Sequence, residues 1–402
     1  MKSLQPSWSR ARLAFAITLA TCSGTAAAVT FQIGEIEGQF DSNLSVGASW
    51  ALRNPDPDLL HDPASDDGRR NFKKGETFSK VLKGIHDLEL KYGESGMFVR
   101  GKYWYDLELK DEGRPFKDIE DHNRKEAAQS SGAELLDAFL YHNYQIGDLP
   151  GTTRLGRQVV SWGESTFIQG GINSINPVDV AAFRRPGAEV KEGLIPVSML
   201  YLSQGITEEV SVEGFYQLEW DQTVIDNCGT FFAPVDVVAD GCEGLDTPPR
   251  RHHSQGRRPR RPGRWPMGAA LRWYAAELDS EFAAYFINYH SRQPYFSTQS
   301  ATTVGDLSAS KYFIEYPEDI RLYGLSFSTM LNTGTTLAGE ISYRPNMPVQ
   351  ISPVDLVATS SGVSALSPVL SQRHGHRRLF RQHPHKMPAT DLRYRLCTEP
   401  TA

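Results

Sequence analysis

The sequence has no apolar run long enough for a membrane-spanning helix, which needs about 20 consecutive apolar residues. Polytopic helical transporters and helical channels are therefore excluded. The sequence also has no excess of basic residues, since 42 Lys and Arg face 48 Asp and Glu, for a formal charge of -6. Because no basic field covers the chain, nucleic acid is not expected as a partner.

Cysteine is scarce, with four residues in 402, and the spacings match neither a C-x-x-C redox pair nor a zinc site. No metal site and no cofactor are predicted. Cys228 and Cys242 lie 14 positions apart in a stretch rich in Gly and Asp. In an oxidising compartment these two residues should form a disulfide.

The first residues have the features of a secretory signal peptide. Lys2, Arg10 and Arg12 form a basic region, residues 13–20 are apolar, and Ala26-Ala27-Ala28 fits a cleavage site. We therefore assign residues 1–28 to the signal and expect the mature chain to begin near Val29.

Alternation with a period of two runs through the middle of the chain and predicts β-strands. In residues 40–52 apolar side chains occupy the even positions, and residues 97–110 and 210–220 repeat the pattern. Further strands are predicted at 85–92, 134–146 and 152–162. Several of these runs reach the 9–11 residues that a tilted strand needs to cross a bilayer.

Short and long connections alternate between these strands. Tight turns are predicted at 93–96, 147–151, 204–208, 278–280 and 332–334, and long connections near 53–84, 111–133, 163–196, 222–267 and 292–318. This rhythm is typical of an outer-membrane barrel, whose short turns face the periplasm and whose long loops face outward. We predict an all-β, antiparallel up-and-down transmembrane barrel over residues 29–360, and we count eleven strands that end near Arg344.

The polar positions of the strands then face the lumen. A charged lining fits a channel or plugged pore, and equally fits charges that only pair across a barrel interior. The candidate lining residues are Arg100, Lys102, Asp106, Glu209, Glu213 and Glu219.

The long connection at 163–196 contains a predicted short helix, with Asn176-Pro177 as its start and Pro186-Gly187 as its stop. This segment, with Arg184 and Arg185, either folds inward as a plug or covers the surface as a lid.

No catalytic set is predicted, and we expect that the protein is not an enzyme. Asn288, His290 and Ser291 are residue types that a hydrolase uses. Because neighbouring residues of a strand point to opposite faces, Ser291 cannot be the partner of His290 without a bulge.

Several motifs resemble the domain of unknown function 1302 family of proteobacterial outer-membrane proteins. They are Phe31-Gln32-Ile33-Gly34-Glu35-Ile36-Glu37-Gly38-Gln39-Phe40-Asp41-Ser42, Ser45-Val46-Gly47-Ala48-Ser49-Trp50, Arg154-Leu155-Gly156-Arg157-Gln158-Val159-Val160-Ser161-Trp162-Gly163-Glu164, residues 176–187, and Tyr316-Pro317-Glu318-Asp319-Ile320-Arg321. The resemblance covers residues 29–248 and 268–360. It implies a barrel-forming envelope protein linked to the handling of hydrophobic compounds, and no catalytic residues carry over.

Two basic stretches depart from the family pattern. Residues 250–264 hold seven Arg, and residues 373–386 hold four Arg, one Lys and four His. Loss of the coding frame explains this composition, and a basic arm for lipopolysaccharide phosphate or nucleic acid is the alternative. We favour frame loss, which leaves the barrel incomplete and makes residues 361–402 a basic tail outside the family.

Two functions fit these observations. The first is an outer-membrane channel or transport component for hydrophobic or aromatic compounds, and the second is a surface binding or adhesion protein with disulfide-clipped loops. The expected partners are outer-membrane lipid, lipopolysaccharide and a hydrophobic small molecule.

Overall fold

A computed structural model describes residues 27–60, 67–164, 170–233, 237–242, 245–247, 251–253, 265–299, 311–331 and 333–360. The assigned signal peptide up to residue 26, most of the 250–264 stretch and the basic tail lie outside these residues. The strands are β1 Ala27–Ile33, β2 Ile36–Trp50, β3 Thr77–Tyr92, β4 Ser95–Asp106, β5 Ser131–Ile146, β6 Leu149–Gln158, β7 Val197–Gly205, β8 Val210–Gln217, β9 Leu245–Thr247, β10 Arg251–His253, β11 Met267–Ala275, β12 Ser280–Tyr289, β13 Tyr295–Gln299, β14 Lys311–Glu315, β15 Ile320–Met330 and β16 Thr336–Tyr343.

Twelve of these strands form one antiparallel sheet in chain order, with β8 next to β11 and β12 next to β15. The two-stranded pairs β9–β10 and β13–β14 lie within two of the long connections. All short turns lie at one end of the sheet, here called the turn end, and all long connections lie at the other, the loop end. The predicted all-β, up-and-down antiparallel architecture is confirmed.

The count of eleven strands was wrong, because the sheet has twelve. The missed strand is β1, which pairs with β2 from Ala27↔Ser42 to Ile33↔Ile36. It begins inside the segment that we assigned to the signal peptide, and no alternation of ten residues announces it. Within the twelve-stranded sheet, as far as the structure describes it, β1 and β16 are the two edge strands.

The strand ends also differ from the prediction. The first two helices are α1 Asp67–Arg70 and α2 Leu107–Lys110. β4 stops at Asp106, because the Asp106 carboxylate accepts hydrogen bonds from the backbone N–H groups of Glu108 and Leu109 and so caps the start of α2. β3 starts eight residues earlier than predicted, at Thr77. Residues 77–84 fall in the long connection predicted near 53–84. Ser79 and Lys83 in this part of β3 are polar, yet both are buried on the inward face.

The outward face of the sheet is apolar and exposed. Leu44 is 50% exposed, Leu155 52% and Leu325 61%. The same face carries Val46, Leu82, Leu140, Leu200, Leu202, Leu271, Phe286, Tyr323 and Ile341, all of them exposed. Soluble proteins rarely expose a contiguous apolar surface of this size, so the face needs an apolar environment.

The described residues of the connection between β6 and β7, 159–164 and 170–196, fold against the inward face of the sheet, and we call them the inner loop. It contains the helices α3 Val180–Arg184 and α4 Val190–Gly193. Trp162, Ile172 and Ile175 of the inner loop join the main apolar cluster with residues of β7, β8, β11, β12 and β15.

A fifth helix, α5 Pro353–Ser360, follows β16 and packs on β13 and β14 through Leu356, Phe296 and Tyr312. No helix among the described residues is both long and apolar enough to span a membrane.

Candidate functional site: the inward face and the inner loop

Buried ion pairs fix the inner loop to strands β3 and β4. Lys102 Nζ lies 2.8 Å from Asp179 Oδ2 and 3.0 Å from Glu134 Oε2, and Lys83 Nζ lies 2.5 Å from Glu192 Oε1. Lys102, Asp179, Lys83 and Glu192 are all buried. A buried charge without its partner is costly, so these pairs oppose movement of the loop away from the sheet.

The other end of the inner loop is fixed to β16. Glu340 accepts hydrogen bonds from the backbone N–H groups of Glu164 and Ile172, both at 2.8 Å. Gly163 has φ +80°, a backbone conformation that favours glycine, and a Cβ at this position would collide with the Glu340 carboxylate and with Ile172. Glycine at residue 163 therefore allows the carboxylate to approach the backbone of the inner loop.

The start of the inner loop is also held by Trp162. Its ring centroid lies 5.1 Å from that of Phe215 and 5.8 Å from that of Tyr285. Its indole N–H donates to Glu213 at 2.7 Å, and Arg272 Nε donates to the other oxygen of Glu213 at 2.5 Å. The inner loop thus contacts the inward side of strands from both halves of the sheet, and the sheet wraps around it.

The predicted lining residues divide into three groups. Arg100, Lys102 and Glu213 point inward and are ion-paired, Arg100 with Asp87 and Asp137. Asp106 is inward and buried, but its carboxylate caps α2. Glu219 lies just after β8, where it accepts hydrogen bonds from the N–H and hydroxyl of Ser198.

Glu209 was wrongly placed among the lining residues. It lies in the exposed turn between β7 and β8, where the N–H of Ile206 donates to the carbonyl of Val210 at 2.7 Å. This hydrogen bond closes the turn before the strand begins, so the alternation starts at Val210.

The two arginines of the inner loop take different positions. Arg185 Cζ lies 4.3 Å from the ring centroid of Trp104, and its guanidinium donates to the carbonyl of Ala127 at 2.5 Å. Arg184 is exposed and pairs with Asp226 in the connection after β8. Burial raises the pKa of the Asp226 carboxyl, and the charge of Arg184 acts against this rise.

The helix start in the inner loop was predicted three residues too early. Asp179, not Asn176, caps α3 by accepting a hydrogen bond from Ala182 N–H at 2.9 Å. Asn176 instead accepts from Val160 N–H and donates to the carbonyls of Gln158 and Ile195. Its side chain therefore joins the first and last residues of this connection, near Gln158, Val160 and Ile195, and we call this point the neck of the inner loop.

Several inward residues escaped the sequence reasoning. Asp179, Glu192 and Glu340 lie outside the runs used to choose lining residues, and Lys83 falls in a predicted connection. Arg154 sits on β6 between two flanking strands, with its Cζ 5.7 Å from the ring of Phe139 and 5.3 Å from the ring of Tyr201. The alternation of residues 152–158 was the signal that could have found Arg154.

Cys228 and Cys242 form the predicted disulfide, with Cα atoms 6.1 Å apart. It clips the connection between β8 and β11 at the loop end. Both cysteines are buried and pack against Ala239 and Ile225.

His290 and Ser291 are not partners in the structure. His290 Nδ1 accepts from Asp319 N–H at 3.1 Å, and the Ser291 hydroxyl donates to the Gln293 carbonyl at 2.9 Å. Within the described residues, no group of three or more His, Cys, Asp or Glu side chains could hold a metal ion.

Comparison with known families gives one match of high coverage. The model of the family described as a protein of unknown function (DUF1302) matches residues 9–387, nearly the whole chain. The chain belongs to the DUF1302 family. Its matched range includes the Arg-rich residues 250–264, of which 251–253 form the short strand β10.

Among solved structures, this DUF1302 protein is similar to a mutant of the ferric enterobactin receptor from Pseudomonas aeruginosa. The identity is 12% and the TM-score 0.32, over 80% of this chain and 51% of that one. The chain thus spans about half the length of the receptor. No curated protein matches the sequence.

Proposed function

We propose that this DUF1302 protein is an outer-membrane barrel protein that acts as a channel or transport component for hydrophobic or aromatic compounds. The observation that carries the proposal is the difference between the two faces of the sheet. The outward face is apolar and exposed, and the inward face is charged and holds the inner loop through ion pairs and hydrogen bonds. This difference is the one that an outer-membrane barrel requires.

In this proposal the signal peptide exports the chain, and the outward face contacts lipid while the loop end contacts lipopolysaccharide. The proposal includes no enzymatic step, because His290 and Ser291 are not partners of each other and no other catalytic set is predicted. The inner loop narrows the interior, because it joins β3 and β4 to β16 across the inward face.

The test is permeation through liposomes that contain the full-length chain. Release of benzenesulfonate, an aromatic anion that crosses a lipid bilayer only slowly, is compared between the unmodified protein, Lys83→Met and the double variant Lys83→Met with Glu192→Leu, with protein-free liposomes as the blank. Lys83→Met removes one partner of the buried pair at a cost of about 3–5 kcal/mol, so it should loosen the inner loop and increase flux. The double variant leaves no unpaired charge, so it should hold the loop again and return the flux to the level of the unmodified protein. Heat-modifiable mobility checks that each variant is folded. No flux from any folded variant would contradict the proposal.

A surface binding or adhesion role is the second candidate, and the disulfide-clipped connection at the loop end favours it. If the protein binds whole cells or surfaces and this binding disappears in Cys228→Ser, while no solute permeates, the second candidate is the better account.

A further inference from the structure

Among the described residues, three arginines on strands of the sheet point inward: Arg100 on β4, Arg154 on β6 and Arg272 on β11. Arg100 is paired with Asp87 and Asp137, and Arg272 with Glu213 and Glu281. Arg154 differs, because among the described residues no carboxylate or hydrogen-bond acceptor meets its guanidinium. Its described contacts are the rings of Phe139 and Tyr201.

Two described acids contact the tyrosines that flank Arg154, and neither is paired with its guanidinium. Glu89 accepts from the Tyr141 hydroxyl at 2.7 Å. Glu213 accepts from the Tyr201 hydroxyl at 2.9 Å, from Trp162 at 2.7 Å and from Arg272 at 2.5 Å. Its charge is matched by Arg272, which leaves the charge of Arg154 for another anion. Guanidinium donors lie in one plane and suit a carboxylate held by two parallel hydrogen bonds.

The surroundings of Arg154 are aromatic. Phe98 and Phe139 have ring centroids 5.5 Å apart, and Tyr141 and Tyr201 occupy the positions directly opposite Arg154 on β5 and β7. All four side chains and Arg154 are half-buried, so they remain accessible. Arg154 is four residues from Gln158, about 13 Å along the strand toward the turn end, and so lies beyond the neck of the inner loop.

We propose that Arg154 and its aromatic neighbours form a binding site for an aromatic carboxylate. The carboxylate would accept hydrogen bonds from the guanidinium, and the ring would pack on Phe98, Phe139 and Tyr201. This inference rests on the proposed function and narrows the compound class at the inward face to amphipathic anions.

The test measures binding of benzoate to the full-length protein in detergent by titration calorimetry. Acetate supplies the carboxylate without the ring, and benzyl alcohol supplies the ring without the charge. We expect benzoate to bind at least 10-fold more tightly than either. Arg154→Gln should weaken benzoate about 10-fold or more while benzyl alcohol is unaffected, and Arg154→Lys should retain part of the affinity.

Arg157→Gln is the matched control. Arg157 lies on the same strand with the opposite facing, near Glu219, and its loss should leave benzoate binding unchanged. Equal benzoate binding by Arg154→Gln, or equal binding of acetate and benzoate, would overturn the inference. Benzenesulfonate flux above the protein-free level that persists alongside either result would leave the proposed function standing, so the two failures are distinguishable.

Discussion

The backbone N–H of Ile172 donates a hydrogen bond of 2.8 Å to Glu340, 168 residues away on the last strand of the sheet. The same carboxylate accepts from Glu164 N–H through its other oxygen. One side chain therefore closes the inner loop onto β16, while Lys83 and Lys102 hold it to β3 and β4.

Replacing Glu340 by Leu should release that end of the inner loop. The buried N–H of Ile172 would lose its acceptor at a cost of about 1–3 kcal/mol, and the partly buried N–H of Glu164 would lose its acceptor at a smaller cost. We expect faster hydrogen exchange at residues 170–175 and greater solute flux in liposomes. Glu340→Gln keeps an acceptor oxygen and should show a smaller effect. Unchanged exchange in Glu340→Leu would show that the apolar packing of Trp162 and Ile172 alone holds the loop.

Leu271→Arg tests whether the outward face meets lipid. Leu271 is 49% exposed at the centre of β11, directly opposite Val212 on β8. An arginine near the bilayer midplane costs about 2–4 kcal/mol, so the free energy of unfolding in lipid vesicles should fall by that amount. Glu208→Arg, in the exposed turn outside the hydrocarbon, is the control and should cost less than about 1 kcal/mol. Equal effects of the two changes would contradict the assignment of the outward face.

Cys228→Ser should abolish the difference in electrophoretic mobility between reduced and non-reduced protein, because it removes the one disulfide among the described residues. Closing a loop of this length contributes about 3 kcal/mol in the chain-entropy model. The connection between β8 and β11 should become the first site of proteolysis. Cys242→Ser should behave identically, and a mobility difference that survives in either variant would point to pairing with another cysteine.

Lowering the pH should loosen the start of the connection between β4 and β5, because it protonates the carboxylate of Glu108 in α2. Burial raises the pKa of Glu108, but hydrogen bonds from Lys80, Thr77 and Arg114 outweigh it and lower the pKa below its ordinary value of 4.5. A carboxyl with a lowered pKa in the folded state stabilises that state above pH 4.5, and this stabilisation is lost as the pH falls through the folded pKa.

Hydrogen exchange of residues 107–114, corrected for its intrinsic pH dependence, should therefore increase below pH 4.5. Glu108→Gln should be loose at all pH values and lack this transition. Glu112→Gln, at an exposed acid of the same connection, should retain it. A transition that persists in Glu108→Gln would assign it to another carboxyl.

The sequence by itself determined which side chains of a strand share a face and which strands pair within each hairpin. The period of two at residues 40–52, 97–110 and 210–220 sets the facing over the parts that form β2, β4 and β8, and each tight turn joins two antiparallel neighbours. The spacing of Cys228 and Cys242 was likewise sufficient for the disulfide. These features depend on residues that are close together in the sequence, so they can be recognised without the folded structure.

Only the tertiary structure decided the position of the inner loop, because its partners are distant in sequence. Lys83 meets Glu192 across 109 residues and Glu340 meets Ile172 across 168. Nothing in the pattern of residues 159–196 distinguishes an inward plug from an outer lid. The choice follows from buried charges and N–H groups that must find partners once water is excluded, and only the folded sheet brings those partners together. The alternation of residues 152–158 could have shown that Arg154 faces inward, but only the structure shows that no acid among the described residues pairs with it.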